Sequence, residues 1–497
     1  MTSTRRGFLR QASLGAGALM TGGFAAAEAP SDPRFLIVLC ATGGASIVDS
    51  FLAVRESESK SAKSVNAYPD KLVQSIGDTP FRAIDFSSNR IGAIPASFNA
   101  NQSNFVKKHA RDMMVITHSG TSVNHRVAEH RSIDGNAAWK GRTLQEAVAL
   151  QYGPGHAIPN VHLVNGTGFT EPGTDGSMPS YAYGEHVAVP NLWPLSLDGY
   201  KGVDGAPSRE LFEKARAFRN QKLDPNSEFY KAFQKSDRIK RWTELRGGPL
   251  EGVEKADLIT KLMLFPDSDK MPLKAHGLKG SELGEKVRTA FPGYQNDPLE
   301  SQAALAFLLL RYGVAVTVTL GAEGGAVFKK GVALKDGDLG HGGMINTPIA
   351  FDFSHQAHRE TQALMWDRTL SVADRLIALL KAEEFRNGQS YWDRSMICIA
   401  TEFGRTRRRP DGAMSFGSGH DLNNGSLIIS PLANGGKVLG GVDPETMLTY
   451  GFDPRTGEPD RGRNMTEQET YSGIAQGLGI QMSGSGLPDM RAMRRSG

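Results

Sequence analysis

Six short apolar runs, each closed by glycine, proline or polar residues, constrain this chain more than any other feature. They are Phe35 to Cys40, Met113 to Thr117, Val161 to Val164, Val314 to Leu320, Met396 to Ala400 and Ser426 to Ile429. Runs that stay apolar without alternating predict strands covered on both faces, as in a mainly parallel sheet. Helical patterns lie between them, the clearest from about His355 to Glu384, with Leu370, Ala373, Ile377 and Leu380 three and four apart. Strand and helix in alternation predict an α/β fold, a mainly parallel central sheet flanked by helices. With 497 residues, 39% of them apolar, the chain has ample material for a core, which excludes disorder and collagen-like repeats. Its 57 Lys and Arg nearly balance 53 Asp and Glu, so overall charge gives no support to a nucleic-acid or membrane-surface partner.

The first 29 residues have the layout of an export signal. Arg5-Arg6 precedes Gly7-Phe8-Leu9, a weakly apolar stretch runs from Ala12 to Ala27, and Ala27-Glu28-Ala29 offers a small-residue cleavage site. Ser13, Gly15, Gly17, Thr21 and Gly22 make that stretch less apolar than the roughly 20 residues a membrane span needs. The expectation is therefore a twin-arginine signal, passage through the twin-arginine translocase, a periplasmic or extracellular place of work, and no transmembrane segment in the mature chain. Residues 30–497 would then form one α/β domain. Within it, residues 166–300 differ in texture and read as a helical and loop insertion or cap. They are rich in Gly and Pro up to about Pro207, with charged helical stretches at Glu210 to Lys222 and Glu228 to Arg246. The two cysteines, Cys40 and Cys398, fall inside apolar runs and read as buried thiols in preference to a disulfide. The tail from Met490 to Gly497 reads as a frayed basic end.

Open α/β sheets bind ligands at the carboxyl ends of their strands, which directs attention to four places. After the first run, Thr42-Gly43-Gly44-Ala45-Ser46-Ile47-Val48-Asp49 brings a carboxylate near the strand end, though Asp49 could equally cap an ordinary turn. After Met113 to Thr117 comes a segment holding His118, Thr121, Ser122, His125, Glu129 and His130. A helix starting near Thr121 or Ser122 would place those hydroxyls at a positive N-terminus, and would pair His125 with Glu129 and His130 with Asp134. Third, Asp352, His355 and His358 are spaced three apart at the start of the long helix, so that Asp352 with His355, or His355 with His358, could converge on one metal ion. His341, in a glycine-rich loop, remains unassigned. Fourth, Thr401-Glu402-Phe403-Gly404-Arg405-Thr406 ends a strand and Gly417-Ser418-Gly419-His420-Asp421 follows. Glu402 suits a metal, Arg405 suits an anion clamp, and Arg407 to Arg409 read as a solvated loop.

This order of features resembles the exported bacterial domain-of-unknown-function 1501 family, grouped with the alkaline phosphatase and sulfatase superfamily. The likeness runs in order through most of residues 1–490, and Thr401 to Thr406 is its most specific piece. It implies an alkaline phosphatase-like fold with a two-metal site that polarises a phosphate or sulfate ester while a Ser or Thr attacks. On that likeness Asp352, His355 and His420 look like one metal's ligands, Glu402 looks like a ligand of the second, and Thr121 or Ser122 is the nucleophile. The chain also departs from the pattern. No carboxylate stands at Cys40 to Thr42, Asp49 is displaced by several residues, and Phe403 occupies the place where phosphatases have His. The helix start reads Asp-Phe-Ser-His for Asp-Thr-His, and His420-Asp421 inverts the usual Asp-His. These departures count against a complete two-metal site.

The combined expectation is an exported metal-binding, hydrolase-like protein acting on phosphate or sulfate esters, small or polymeric. Its metal ligands would be Asp49, Asp352, His355, Glu402 and His420, and its catalytic residues Thr121, Ser122, His125, His130 and Arg405. The cofactor would be a divalent ion such as Zn, Mn, Ca or Mg, with no nucleic-acid partner. The alternative is a non-catalytic periplasmic binding or surface-assembly protein that retains the fold.

Overall fold

The computed structural model describes residues 32–164, 166–187, 189–190, 193–196, 207–236, 239, 261–264, 281–295, 297–321, 327–328, 344–345 and 350–495. The export signal and His341 lie outside the described residues, as does much of 166–300.

All six apolar runs are strands of one eight-stranded sheet. In chain order these strands are β1 (Phe35–Ala41), β2 (Met113–Ser119), β3 (Asn160–His162), β4 (Glu185–His186), β5 (Thr317–Gly321), β6 (Ser395–Thr401), β7 (Asn423–Ile429) and β8 (Lys437–Leu439). Their order across the sheet is β8-β2-β7-β6-β1-β5-β3-β4. Five pairings are parallel, and the two made by β7 are antiparallel, so β7 alone runs against the rest. Its reversal places the start of β7 beside the carboxyl ends of β2 and β6, with Asn423 opposite Ser119. Residues 166–300 supply the edge strand β4 of this same sheet.

The central strands explain why the runs are apolar throughout. Every residue of β1, β6 and β7 is buried, because helices cover both faces. Each fully buried Val, Leu or Ile there stabilises the fold by about 2 kcal/mol. The main helices are α1 (His125–Asp134), α2 (Leu144–Tyr152), α3 (Arg209–Phe218), α4 (Pro298–Arg311), α5 (His358–Ala382) and α6 (Glu467–Gly477). Pro298 opens α4 and Asp297 caps it, accepting from Leu299 N at 3.0 Å. On α5 the expected face of Leu370, Ala373, Ile377 and Leu380 is buried.

Cys40 and Cys398 are free and buried, as the apolar runs implied. The tail is not frayed through 495: Met490 and Met493 are buried, and Ala492 N donates to Pro454 O at 2.9 Å. No helix among the described residues is long and apolar enough to cross a membrane.

Candidate metal centre

The carboxyl edge of the sheet gathers four segments. β1 leads into Gly43 and Gly44, β6 into Glu402, β2 through a short loop into α1, and the reversed β7 is entered from His420. A 3-10 turn, Ala350–His355, brings Asp352 and His355 to the same edge ahead of α5.

Gly43 and Gly44 both adopt positive φ, +94° and +77°, which glycine tolerates without the clash a Cβ would bring. A Cβ on Gly43 would stand 2.5 Å from the backbone nitrogen of Asp352. This close turn aims two N–H groups at Glu402 Oε1, from Gly43 and, at 2.8 Å, from Gly44. The other oxygen of Glu402 faces His125 Nδ1 at 3.1 Å. A carboxylate can only accept, so the imidazole proton sits on Nδ1 and the Nε2 lone pair is left free. His420 is fixed in the same way, with Nδ1 donating to Val123 O at 2.9 Å.

Both free nitrogens turn on one carboxylate oxygen. His125 Nε2 lies 3.6 Å and His420 Nε2 3.7 Å from Asp352 Oδ1. His355 Nε2 adds a further atom, 3.2 Å from Asp352 Oδ1 and 2.9 Å from His420 Nε2. Ligand atoms bonded at about 2 Å to an ion stand roughly 3 to 3.6 Å apart, close to these spacings. His125, Asp352 and His420 could therefore hold a metal ion, and among the described residues they are the one group of three or more His, Cys, Asp or Glu that could. Two proton-free nitrogens and an anionic oxygen turned on one small volume form a donor set that a divalent cation fits.

The electrostatics agree. Burial opposes the charge on Asp352, but the neighbouring His420 imidazole and the Arg405 guanidinium outweigh it and hold the carboxyl down at about 2. The hydrogen bond that His125 donates to Glu402 raises its pKa above the ordinary value against the effect of burial. Burial, then the nearby Arg405 guanidinium, lowers that of His355.

Comparison with known proteins adds no identity here. No protein-family model, curated protein or solved structure matches the chain.

Asp352, His355 and His420 come together as expected, joined by His125 as a ligand candidate. Other expectations need correction. Glu402 is not at the ligand position, because Gly43, Gly44 and His125 occupy both its oxygens. Arg405 cannot clamp a substrate anion: its side chain is wholly buried, bonded to Asp352 at 3.0 Å and to the carbonyls of Gly43, Gly44, Phe351 and Ser418. Phe403 stacks on His420 with ring centroids 4.0 Å apart and fills that side of the cluster with an apolar wall.

The helix expected from Thr121 or Ser122 begins at His125, capped by the Asn124 side chain, which accepts from Val127 N at 3.3 Å. Thr121 therefore lies ahead of the helix, its hydroxyl held by Glu467 at 2.7 Å and by Arg131 at 3.0 Å. Ser122 accepts from Asn124 N at 3.1 Å. His130 pairs with Asp134 at 3.3 Å, as the spacing predicted, but outside the cluster. His125 does not pair with Glu129, whose carboxylate accepts from Gly168 N at 2.6 Å. Burial, then the charge of Glu402, pushes the Glu129 carboxyl up to about 8. His118 is buried in β2, and burial brings its pKa down to about 4. Arg409 is no solvated loop residue: its guanidinium is buried against Glu56 and several carbonyls.

Asp49 and His358 belong to a second, buried network. Asp49 Oδ1 stands 3.0 Å from His358 Nε2 and 3.3 Å from the Tyr68 hydroxyl, with Asn66 beside both. His358 Nδ1 reaches the Ser418 hydroxyl at 2.7 Å, and Ser418 O accepts from Arg405. The network thus braces the loop that carries His420. The His355–His358 pair splits because Gln356 and Ala357 break the helix; Ala357 has φ −144° and ψ 81°. Nothing in the spacing linked Asp49 to His358. The glycines flanking Ser418 were the only local sign that its loop is closely packed.

Proposed function

We propose that this chain is an exported, single-metal hydrolase with an alkaline phosphatase-like fold, acting on phosphate or sulfate esters. One observation carries the reading: His125 and His420, each with Nδ1 committed as a donor, present Nε2 to one oxygen of Asp352 at the carboxyl edge of a mainly parallel sheet. Imidazole nitrogens favour zinc or a similar transition ion over manganese, calcium and magnesium, which prefer oxygen-rich sites. A divalent ion supplies Lewis acidity toward an ester oxygen and toward water. Glu402 holds the His125 tautomer, Arg405 holds Asp352, and Phe403 excludes water from behind His420. His355, the most exposed of the three clustered histidines at 43%, can take up a proton at Nε2 at the open side. With the Thr121 hydroxyl engaged by Glu467 and Arg131 and that of Ser122 by Asn124 N, the attacking group is water.

Phe403 and the fully committed Arg405 favour a second reading, a metal-holding binding protein without turnover. Metal analysis of the purified chain, followed by assay on p-nitrophenyl phosphate and sulfate before and after chelation, separates the two. The hydrolase reading expects about one zinc or similar transition ion per chain, loss of metal in Asp352→Ala and His420→Ala, and ester hydrolysis that chelation abolishes. Metal without hydrolysis supports the second reading. A chain that binds no metal, with both variants unchanged in stability, overturns both.

A further inference from the structure

Most phenylalanines among the described residues are buried or half-buried. Among the described residues the three exposed ones are Phe218, Phe229 and Phe233, and Leu211 and Leu223 share their segment. All five side chains are more than half exposed. Leu211, Ala215 and Phe218 are four and three apart on α3, and a π-type turn, Arg219–Leu223, continues the helix. Phe229 and Phe233 are four apart on a following short helix, Glu228–Phe233, with ring centroids 5.1 Å from one another. An apolar stripe at helical spacing ordinarily faces the core. Here it faces outward.

The charge of the same segment is lopsided. Residues 207–236 carry seven Lys and Arg against four Asp and Glu, in a chain whose whole excess is four. Three of the acids are taken up locally, Glu210 by Lys214 and Glu228 by Lys231, each at 2.7 Å, and Asp224 by Arg219 at 3.9 Å, while Lys222 and Lys235 are exposed. Exposed aromatic and aliphatic side chains beside a basic rim match an anionic lipid surface, where rings enter the headgroup boundary and lysines meet phosphate. A second copy of the chain suits the patch less well, since a two-fold contact would set the same positive rim against itself.

We propose that residues 209–235 form a docking site that seats this protein on the surface of an anionic phospholipid bilayer. It lies on the surface and does not span it, and it is independent of the metal centre.

The test is co-sedimentation of the full chain with vesicles of phosphatidylcholine alone or with added phosphatidylglycerol, alongside hydrogen exchange. Binding should require phosphatidylglycerol and weaken as salt rises. Phe218→Ser with Phe229→Ser should reduce binding about tenfold or more. Lys222→Gln with Lys235→Gln should reduce it without altering the apolar face. Amides within 209–235 should gain protection when vesicles are added; this readout is local, so an N-terminal leader that bound lipid by itself would not mimic it. Equal binding to both vesicles, or no protection in 209–235, overturns the proposal. So does self-association in the absence of lipid that the Phe→Ser pair abolishes, which would assign the face to a second copy. These side chains are exposed, so the thermal midpoint should stay unchanged in every variant.

Discussion

Single atoms decide what the metal centre can do, and His125 is the one on which a pH experiment turns. Its Nε2 binds an ion only when it carries no proton, while Glu402 raises its pKa by favouring the charged imidazolium. Protons therefore compete with metal to a higher pH than for an ordinary histidine. Metal affinity should rise through the titration of His125 and level off above it. In the metal-free chain the sign is opposite: the imidazolium–Glu402 pair contributes stability below the unfolded value of about 6.5, lost as pH rises through the folded value. Glu402→Gln should move the metal-binding midpoint to lower pH and, by freeing the ring, weaken affinity at high pH by about 10- to 100-fold. Competition titration with a chromogenic chelator at several pH values measures both. An unchanged midpoint would mean that Glu402 does not govern His125.

At the scale of elements, two features hold the site, the glycine turn after β1 and the first turn of α5. Gly43→Ala would combine a φ of +94° with a Cβ 2.5 Å from Asp352 N, and backbone cannot yield as a side-chain tip can. It should cost about 2 kcal/mol or more and lower metal affinity as Asp352 and Glu402 shift. Gly313→Ala is the control, with φ +64° and nothing within 4 Å of its added Cβ. That change should cost about 1 kcal/mol and leave metal binding intact. Urea midpoints and metal titrations on both variants distinguish local strain from damage to the site.

The first turn of α5 depends instead on a buried carboxylate–imidazole contact. Burial opposes the charge of Asp49, but His358, Ser46 and Tyr68 together hold its pKa below the ordinary 3.8. A depressed carboxylate contributes stability that is present above its unfolded value of about 3.9 and lost as pH falls through the folded value. Asp49→Ala strands His358 without its partner and should cost about 3 kcal/mol near neutral pH. The gap from the parent chain should narrow as the solution is acidified below pH 4, in urea melts repeated across the acid range. A gap that stays constant would detach Asp49 from the acid limb.

For the molecule as a whole, what could be read in advance follows from which forces are local. β1, β2, β6 and β7 are buried on both faces, and that leaves a continuous apolar run in the sequence itself. Asp352 and His355 were legible as a pair because their spacing confines them to one helix start, while their grouping with His420 was implied by the family resemblance. The role of Arg405 was not, because it depends on four carbonyls brought in by folding, and none of them is a side chain. The outward stripe on α3 was hidden for a related reason: periodicity shows that a face is apolar but not which way it points. The thiols test the architecture directly. Cys40 and Cys398 lie on adjacent parallel strands, Val38 opposite Cys398 and Cys40 opposite Ala400, and each strand has a neighbour on both sides. Burial lifts the Cys398 thiol to about 12 and raises that of Cys40 as well. No fraying edge can expose either one, so a thiol-specific reagent should label both together, and only as fast as the whole sheet opens. Labelling followed by mass spectrometry in rising subdenaturing urea should give one rate for the two sites, climbing with the global unfolding constant. Rapid modification of either thiol in native buffer would place its strand at an edge and contradict the sheet order.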